Sequence, residues 1–343
     1  MSILGFSRRE VYYRPVILTY VPTPAIFCLH FLFRRETKNK NHKFKSSFGK
    51  TFTMKFMDLV EILSNKEKIV EYLRHERILL TGLICACGRA MRTRVRAKNV
   101  DGFGFWCGTC RVERSLRVGS FIEGLRLPLS KIVAMLYLLN LDVLYKDISE
   151  TLEISGKVVS DYAEGIRVSR SQDLERIGIK VGGEGVRVQV DETLIAKAKL
   201  ARNMRARPVN EQWVLGFFDT SKGVGVMRLI PNRRQEVMLA YIADTCLPGT
   251  IIVSDGHASY QNLPAIGFRH EVVVHEHNFV DPENGVHTNR IENYWQRVKR
   301  RFKRIYGTSR RLLPLYLQEF MWFERFGKNL EEKWRCTMNI MAR

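Results

Sequence analysis

The spacing of apolar positions changes along the chain, and each change marks a different kind of segment. From Met54 the stretch MKFMDLVEILSNKEKIVEYLRHERIL carries a helical period. Residues 127–166 carry it again and predict three helices: Pro128 stands at a helix start, Ile132, Met135, Leu136 and Leu139 recur on one face, and a short turn is expected over 153–156. From Val186 the period drops to two. Val186, Val188 and Val190 alternate along a strand that ends in Asp191, and EQWVLGFFDTSKGVGVMRLIP predicts two strands joined by a turn over 219–223. A helix follows in NRRQEVMLAYIADTCLPG and stops near Pro248 and Gly249. Residues 251–253 read as a buried strand that ends at Asp255 and Gly256, and HEVVVHEHNFV as one more strand. In VHTNRIENYWQRVKRRFKRIYG the helical period returns, with Trp295, Val298, Phe302 and Ile305 on one face. Trp322, Phe323 and Phe326 are expected in the core.

Residues 14–33 are apolar, but Pro22 and Pro24 interrupt them and His30 lies among them, which argues against a spanning segment. No small-residue cleavage site follows, and the next seventeen residues, RRETKNKNHKFKSSFGK, read as a solvated basic linker. Residues 1–53 are set apart as an extension.

Composition narrows the partners. The 343 residues are 45% hydrophobic, enough for real cores, and carry a formal charge of +21, which calls for a polyanion. Nucleic acid fits better than an anionic membrane surface. Seven cysteines, sparse and odd in number, suit a reducing, intracellular compartment and a metal better than a disulfide framework.

Four of those cysteines are paired in sequence: Cys85 with Cys87, and Cys107 with Cys110. Two short Cys-bearing turns on neighbouring hairpins can hold a structural Zn²⁺ and stand in for a core that so small a unit lacks. Buried reduced thiols are the plainer alternative. The helices after this zinc-ribbon-like module suggest a helix-turn-helix, whose second helix, over 157–166, would present Lys157 and Ser160 to a DNA groove.

The order strand, hairpin, helix, strand, strand, helix, with acids at Asp191, Asp255 and Glu292, is the layout of an RNase H-like α/β domain, a mixed sheet with flanking helices. Each acid alone is an ordinary turn or cap residue. Together they can hold two Mg²⁺ or Mn²⁺ ions about 4 Å apart, as phosphoryl transfer from DNA requires. Lys299 falls nearly in line with Glu292, and Arg297, Arg300, Arg301 and Arg304 form a basic rim. Lys197, Lys199 and Arg202, in the basic loop AKAKLARNMRAR, are further candidate DNA contacts. His275, His277 and His287 could touch metal or DNA, although supporting or packing roles are the plainer reading, and Asn289 near Glu292 could orient a ligand or a phosphate.

The run HEHNFVDPENGVHTNRIENYWQRVKRRFKRIYGTSRRLLPLYLQEFMWFERFG, with VQVDET and IIVSDGHASY, resembles the DDE transposases of the Merlin superfamily and their bacterial insertion-sequence (ISXO-like) relatives. By that likeness Asp191, Asp255 and Glu292 match the three acids, and Lys299 the lysine that follows the third. The resemblance implies binding to terminal inverted repeats and to target DNA, metal-dependent cleavage and strand transfer, and a homo-oligomer in a synaptic complex, acting at DNA and in the nucleus of a eukaryotic host. It departs at Cys85–Cys87, where C-x-x-C is expected, and it leaves residues 1–53 unmatched. The expected parts are a helical segment (54–82), the zinc-ribbon-like module (83–118), the helix-turn-helix-like region (119–175), the RNase H-like domain (184–327) and a C-terminal tail (328–343). Two rival functions remain open at this point: a transposase-derived DNA-binding protein without transposition activity, and another RNase H-like metal-dependent nuclease such as a junction resolvase.

Overall fold

A computed structural model describes residues 54–196, 211–273 and 288–342. Two apolar cores organise them.

The first core collects the helices that the early periodicity predicts. Helices α1 (Phe56–Leu63) and α2 (Lys66–His75) form two pieces, because Asn65 caps the second by accepting from the Lys68 amide at 2.7 Å. A four-stranded antiparallel sheet follows, β1 (Leu83–Ile84), β2 (Ala90–Val95), β3 (Phe103–Trp106) and β4 (Glu113–Ser115), in sequential order. Next come α3 (Leu129–Asn140), α4 (Tyr145–Leu152) and α5 (Gly156–Ile177). Glu153, in the left-handed region at φ 50°, ends α4, and the Ser155 hydroxyl accepts from the Lys157 amide to start α5. The turn is where the sequence puts it, but α5 runs eleven residues past the expected end at Ile166. Val159, Tyr162 and Ile166 bury in the first core and Leu174 in the second, so one helix threads both.

The second core belongs to a five-stranded sheet. Its strands are β6 (Arg187–Ala196), β7 (Gln212–Asp219), β8 (Val224–Ile230), β10 (Ile251–Asp255) and β11 (Arg269–Val273), in the order β11-β10-β6-β7-β8. The first three are antiparallel, whereas β10 runs parallel to both β6 and β11. A three-strand meander extended on its first strand by two parallel crossover strands is the RNase H-like sheet, so the expected fold class holds. Helix α6 (Gln235–Thr245) makes the crossover, and a small parallel pair, β5 (Val181–Gly182) with β9 (Cys246–Leu247), closes its base.

Helices α7 (Asn289–Arg304) and α8 (Leu313–Phe326) pack on this sheet. Two glycines let α7 lie close. A Cβ on Gly216 would sit 2.3 Å from the Trp295 ring, and one on Gly225 would sit 2.2 Å from the Tyr294 ring. The stretch expected to be a tail is instead helix α9 (Leu330–Met341), whose Trp334, Met338 and Met341 bury in the first core. Trp334 donates its indole N–H to the Tyr72 hydroxyl at 2.7 Å. Among the described residues, no helix is long and apolar enough to cross a membrane.

Candidate active site

Asp191 and Asp255 stand side by side. The parallel register pairs Ile251 with Arg187 and Val253 with Gln189; carried two residues further, it sets Asp255, the last residue of β10, against Asp191, which lies midway along β6 and not at its end as the alternation suggested, because pairing with β7 carries the strand on to Ala196. Alternation along β6 sends Gln189 and Asp191 toward α7, while Val188 and Val190 are buried.

Helix α7 is fastened to that strand by named bonds. The Ile291 amide, one of the free donors of the first turn, gives its hydrogen to Gln189 Oε1 at 3.0 Å. Trp295 Nε1 donates to Asp191 Oδ2 at 2.9 Å, and Arg290 donates to the Thr220 carbonyl at 2.7 Å. Glu292, half-buried in the same first turn, accepts from the Thr288 hydroxyl at 3.0 Å. The His257 amide holds Asp255 through Oδ1 at 3.1 Å.

The electrostatics of this corner favour a cation. Burial pushes the Asp191 carboxyl up to about 6, the charges of Glu192 and Asp255 add to the rise, and the Trp295 indole opposes it. A carboxylate crowded by others on two adjacent strands is a hard-oxygen donor set short of positive charge, so the residues fit a divalent metal. The carboxyl oxygens of the three acids do not form one tight cluster: among the described residues, only the four cysteines form a group of three or more ligands within 4.8 Å of one another.

Residues 181–325 match the model of the ISXO2-like transposase domain of the IS1595 family. Over that segment the chain is similar to an insertion-sequence transposase domain. The limits of the segment, from β5 into α8, enclose the whole five-stranded sheet and all three acids. A transposase-like protein of Haemophilus influenzae is 29% identical over 94 residues, which are 27% of this chain and 75% of that protein. Two viral integrase catalytic cores are similar in structure. That of BIV has 15% identity, covers 42% of this chain and 84% of its own, and has a TM-score of 0.28. That of HTLV-2, solved with magnesium, has 12% identity, coverage of 41% and 84%, and a TM-score of 0.25. The fold assignment rests on strand order and register, not on these scores.

Within the matched segment the basic residues of α7 separate. Lys299 and Arg300 are exposed and have no ion-pair partner among the described residues. Arg297 pairs with Glu324 at 2.9 Å, and Arg304 donates to the Asp142 carbonyl at 3.0 Å. Arg301 turns inward to Glu319 and Asp142, each at 3.1 Å. Lys197, Lys199 and Arg202 lie outside the described residues, as do His275, His277 and His287.

Some neighbours of the site are illegible in the sequence. Glu192 follows the first acid yet points the other way. Its side chain is 3% exposed, pairs with Arg233, and accepts from the Tyr260 hydroxyl at 2.5 Å. Arg233 in turn lies over the Trp213 ring at 4.7 Å. Burial, then Glu192, hold the Tyr260 phenol well above its ordinary value, so it remains a donor. The tyrosine of SDGHASY was the available signal, though nothing local in the sequence ties it to Glu192.

Ahead of the matched segment, the four cysteines converge. The sulfurs of Cys87 and Cys107 are 3.7 Å apart, and tetrahedral Zn–S bonds of about 2.3 Å imply about 3.8 Å. The short C-x-C loop succeeds because Gly88, at φ 82°, closes a tight turn in which its amide donates to the Cys85 carbonyl at 2.8 Å. Hydrogen bonding from the Cys110 amide, with further help from Thr109 and the other thiols, brings Cys107 down to about 7. Cys87 and Cys85 push Cys110 up to about 12. This set could hold zinc. On the same sheet, Arg94 and Arg96 lie 5.5 and 5.1 Å from the Trp106 ring. On α5, Lys157 is exposed and pairs with Asp161 at 2.8 Å, while Ser160 is half-buried.

Proposed function

We propose that the protein is a DDE transposase that binds the terminal inverted repeats of its element, cleaves the DNA there and joins the freed strand to a target. The observation that carries this reading is the adjacency of Asp191 and Asp255 on parallel central strands beneath a helix whose first turn bears Glu292. Two divalent ions held by these acids would activate the attacking water or 3′-hydroxyl and stabilise the leaving oxygen.

The chain's own groups do the positioning. Trp295 fixes one oxygen of Asp191, the His257 amide fixes one of Asp255, and Thr288 orients Glu292. Lys299, seven residues beyond Glu292, is free to hold a phosphate, and Arg297, Arg300 and Arg304 give the DNA backbone a charged edge. The zinc-ribbon-like module and the α4–α5 pair supply recognition of the ends, with Lys157 and Ser160 as candidate contacts. Two ends are brought together by a second copy of the chain.

The test is a cleavage and strand-joining assay on DNA carrying the element's ends, in Mg²⁺, Mn²⁺ or EDTA. Metal-dependent products from wild type that vanish in Asp191→Asn, Asp255→Asn and Glu292→Gln, with DNA affinity kept, are the expected result. Lys299→Ala should lose less. If the wild type binds the ends and cuts in none of the metals, the enzymatic reading fails and a DNA-binding protein takes its place.

A further inference from the structure

A cleft of about 730 Å³ opens between the α3–α4 turn and α5 on one side and α7 and α8 on the other. It lies away from the three acids, which are not among its lining residues. Its floor is electrostatically settled. Glu319 is held by Arg167, Arg170 and Arg301, and Asp142 by Arg301 and Lys333.

Its rim is not settled. Arg300 has no ion-pair partner among the described residues, Arg304 meets only a backbone oxygen, and Lys146 is 82% exposed with a 3.7 Å contact to Glu150. The one further carboxylate in the lining, Asp147, leaves the rim cationic. Phosphate is the natural counterpart of such a rim.

Aromatic rings complete the lining. Tyr145 and Tyr316 flank the Arg167 guanidinium at 5.6 and 4.0 Å. Tyr306, just past the end of α7, is 91% exposed and has a left-handed backbone at φ 56°. That backbone is the left-handed stop of α7, closed by the Gly307 amide donating to the Phe302 carbonyl at 2.8 Å, and it leaves the Tyr306 ring in water at the mouth of the cleft.

Size decides which form of nucleic acid fits. The volume suits a ligand of one or two nucleotides, whereas a duplex, whose major groove alone is about 12 Å wide, stays outside. We propose that this cleft binds a short unpaired DNA strand, with phosphates on Arg300, Arg304 and Lys146 and a base stacked on Tyr306. The inference rests on the reading of the protein as a DNA-binding transposase and assigns a distinct subsite within it.

The experiment measures binding of the full-length protein, at one fixed salt concentration, to three labelled DNAs of the same duplex sequence. One is blunt, one has a 5′ tail of four nucleotides, and one has a 3′ tail of four. At least one tail should tighten binding about fivefold or more, the gain expected from one stacked base. Tyr306→Ala should abolish that gain and leave blunt-duplex affinity within about twofold; Tyr306→Phe, which keeps the ring, should retain it. Lys146→Ala should reduce the gain in part. If neither tail adds affinity while the blunt duplex binds, the cleft assignment falls and the transposase reading stands. If Tyr306→Ala weakens blunt and tailed DNA alike, the assignment also falls. If no DNA binds at all, both readings fall together.

Discussion

Replacing Glu319 by glutamine should cost about 3 kcal/mol of stability at neutral pH, and the cost should fade in acid. Glu319 is 6% exposed and receives Arg167 at 3.3 Å, Arg170 at 2.5 Å and Arg301 at 3.1 Å. Burial alone would raise its proton affinity; the three guanidiniums outweigh burial and hold the carboxyl down to about 2, against an ordinary 4.5. That difference corresponds to about 3 kcal/mol favouring the ionised carboxylate in the folded chain. Breaking a buried pair by removing one partner costs a similar amount, roughly 3–5 kcal/mol, because Arg167 and Arg170 would remain buried without a counter-charge. Because the folded value is depressed, the contribution is complete above about pH 4.5 and is lost as pH falls through about 2. Urea unfolding of wild type and Glu319→Gln, followed by tryptophan fluorescence at pH 7 and pH 3, should therefore show a gap that narrows by about 2 kcal/mol on acidification. A gap under about 1 kcal/mol at pH 7, or one that does not change with pH, would refute the reasoning.

Three further outcomes follow from the geometry. Gly216→Ala drives a methyl into the Trp295 ring, 2.3 Å away; unfolding should show a loss of about 1–3 kcal/mol, and cleavage should fall with it as α7 lifts from Asp191. Trp295→Phe removes the N–H that holds the Asp191 carboxyl down from a still higher value. The acid limb of the cleavage rate should then move to higher pH, and an unmoved limb in single-turnover rates would count against the bond's role. Protein purified without chelator should carry about one zinc per chain by atomic emission. Cys107→Ser should lose it and melt at lower temperature, and metal-free wild type of unchanged stability would exclude a structural zinc.

The acids were legible because each ends a local pattern. A two-residue alternation running into Asp191 and an apolar run ending at Asp255 announce two strands, although β6 runs on past Asp191 to Ala196, and strand order follows from the placement of the hairpin and the crossover helix. Asp219 ends a strand in the same way, yet it is a turn residue that accepts from the amides of Ser221 and Lys222, each at 3.0 Å. What distinguishes it from Asp191 is the element across the sheet, which no local pattern encodes. The same limit hid Glu192, Tyr260 and Arg301. Arg301 shares a helix face with outward-pointing arginines, and only the distant Glu319 and Asp142 explain its turn inward. The C-x-C spacing misled for a different reason: it counts residues, whereas the left-handed Gly88 sets how tightly the chain turns.

Helix α9 ties the last part of the chain to the first. Trp334, Met338 and Met341 fill a core whose other members come from residues 54–166. On the ribosome, where domains usually fold in the order they emerge, the cysteine module and its helices would have to wait for α9 to emerge before closing their interior. The first core thus becomes complete only after the five-stranded sheet has been made, so the part of the chain synthesised earliest is the last to finish folding.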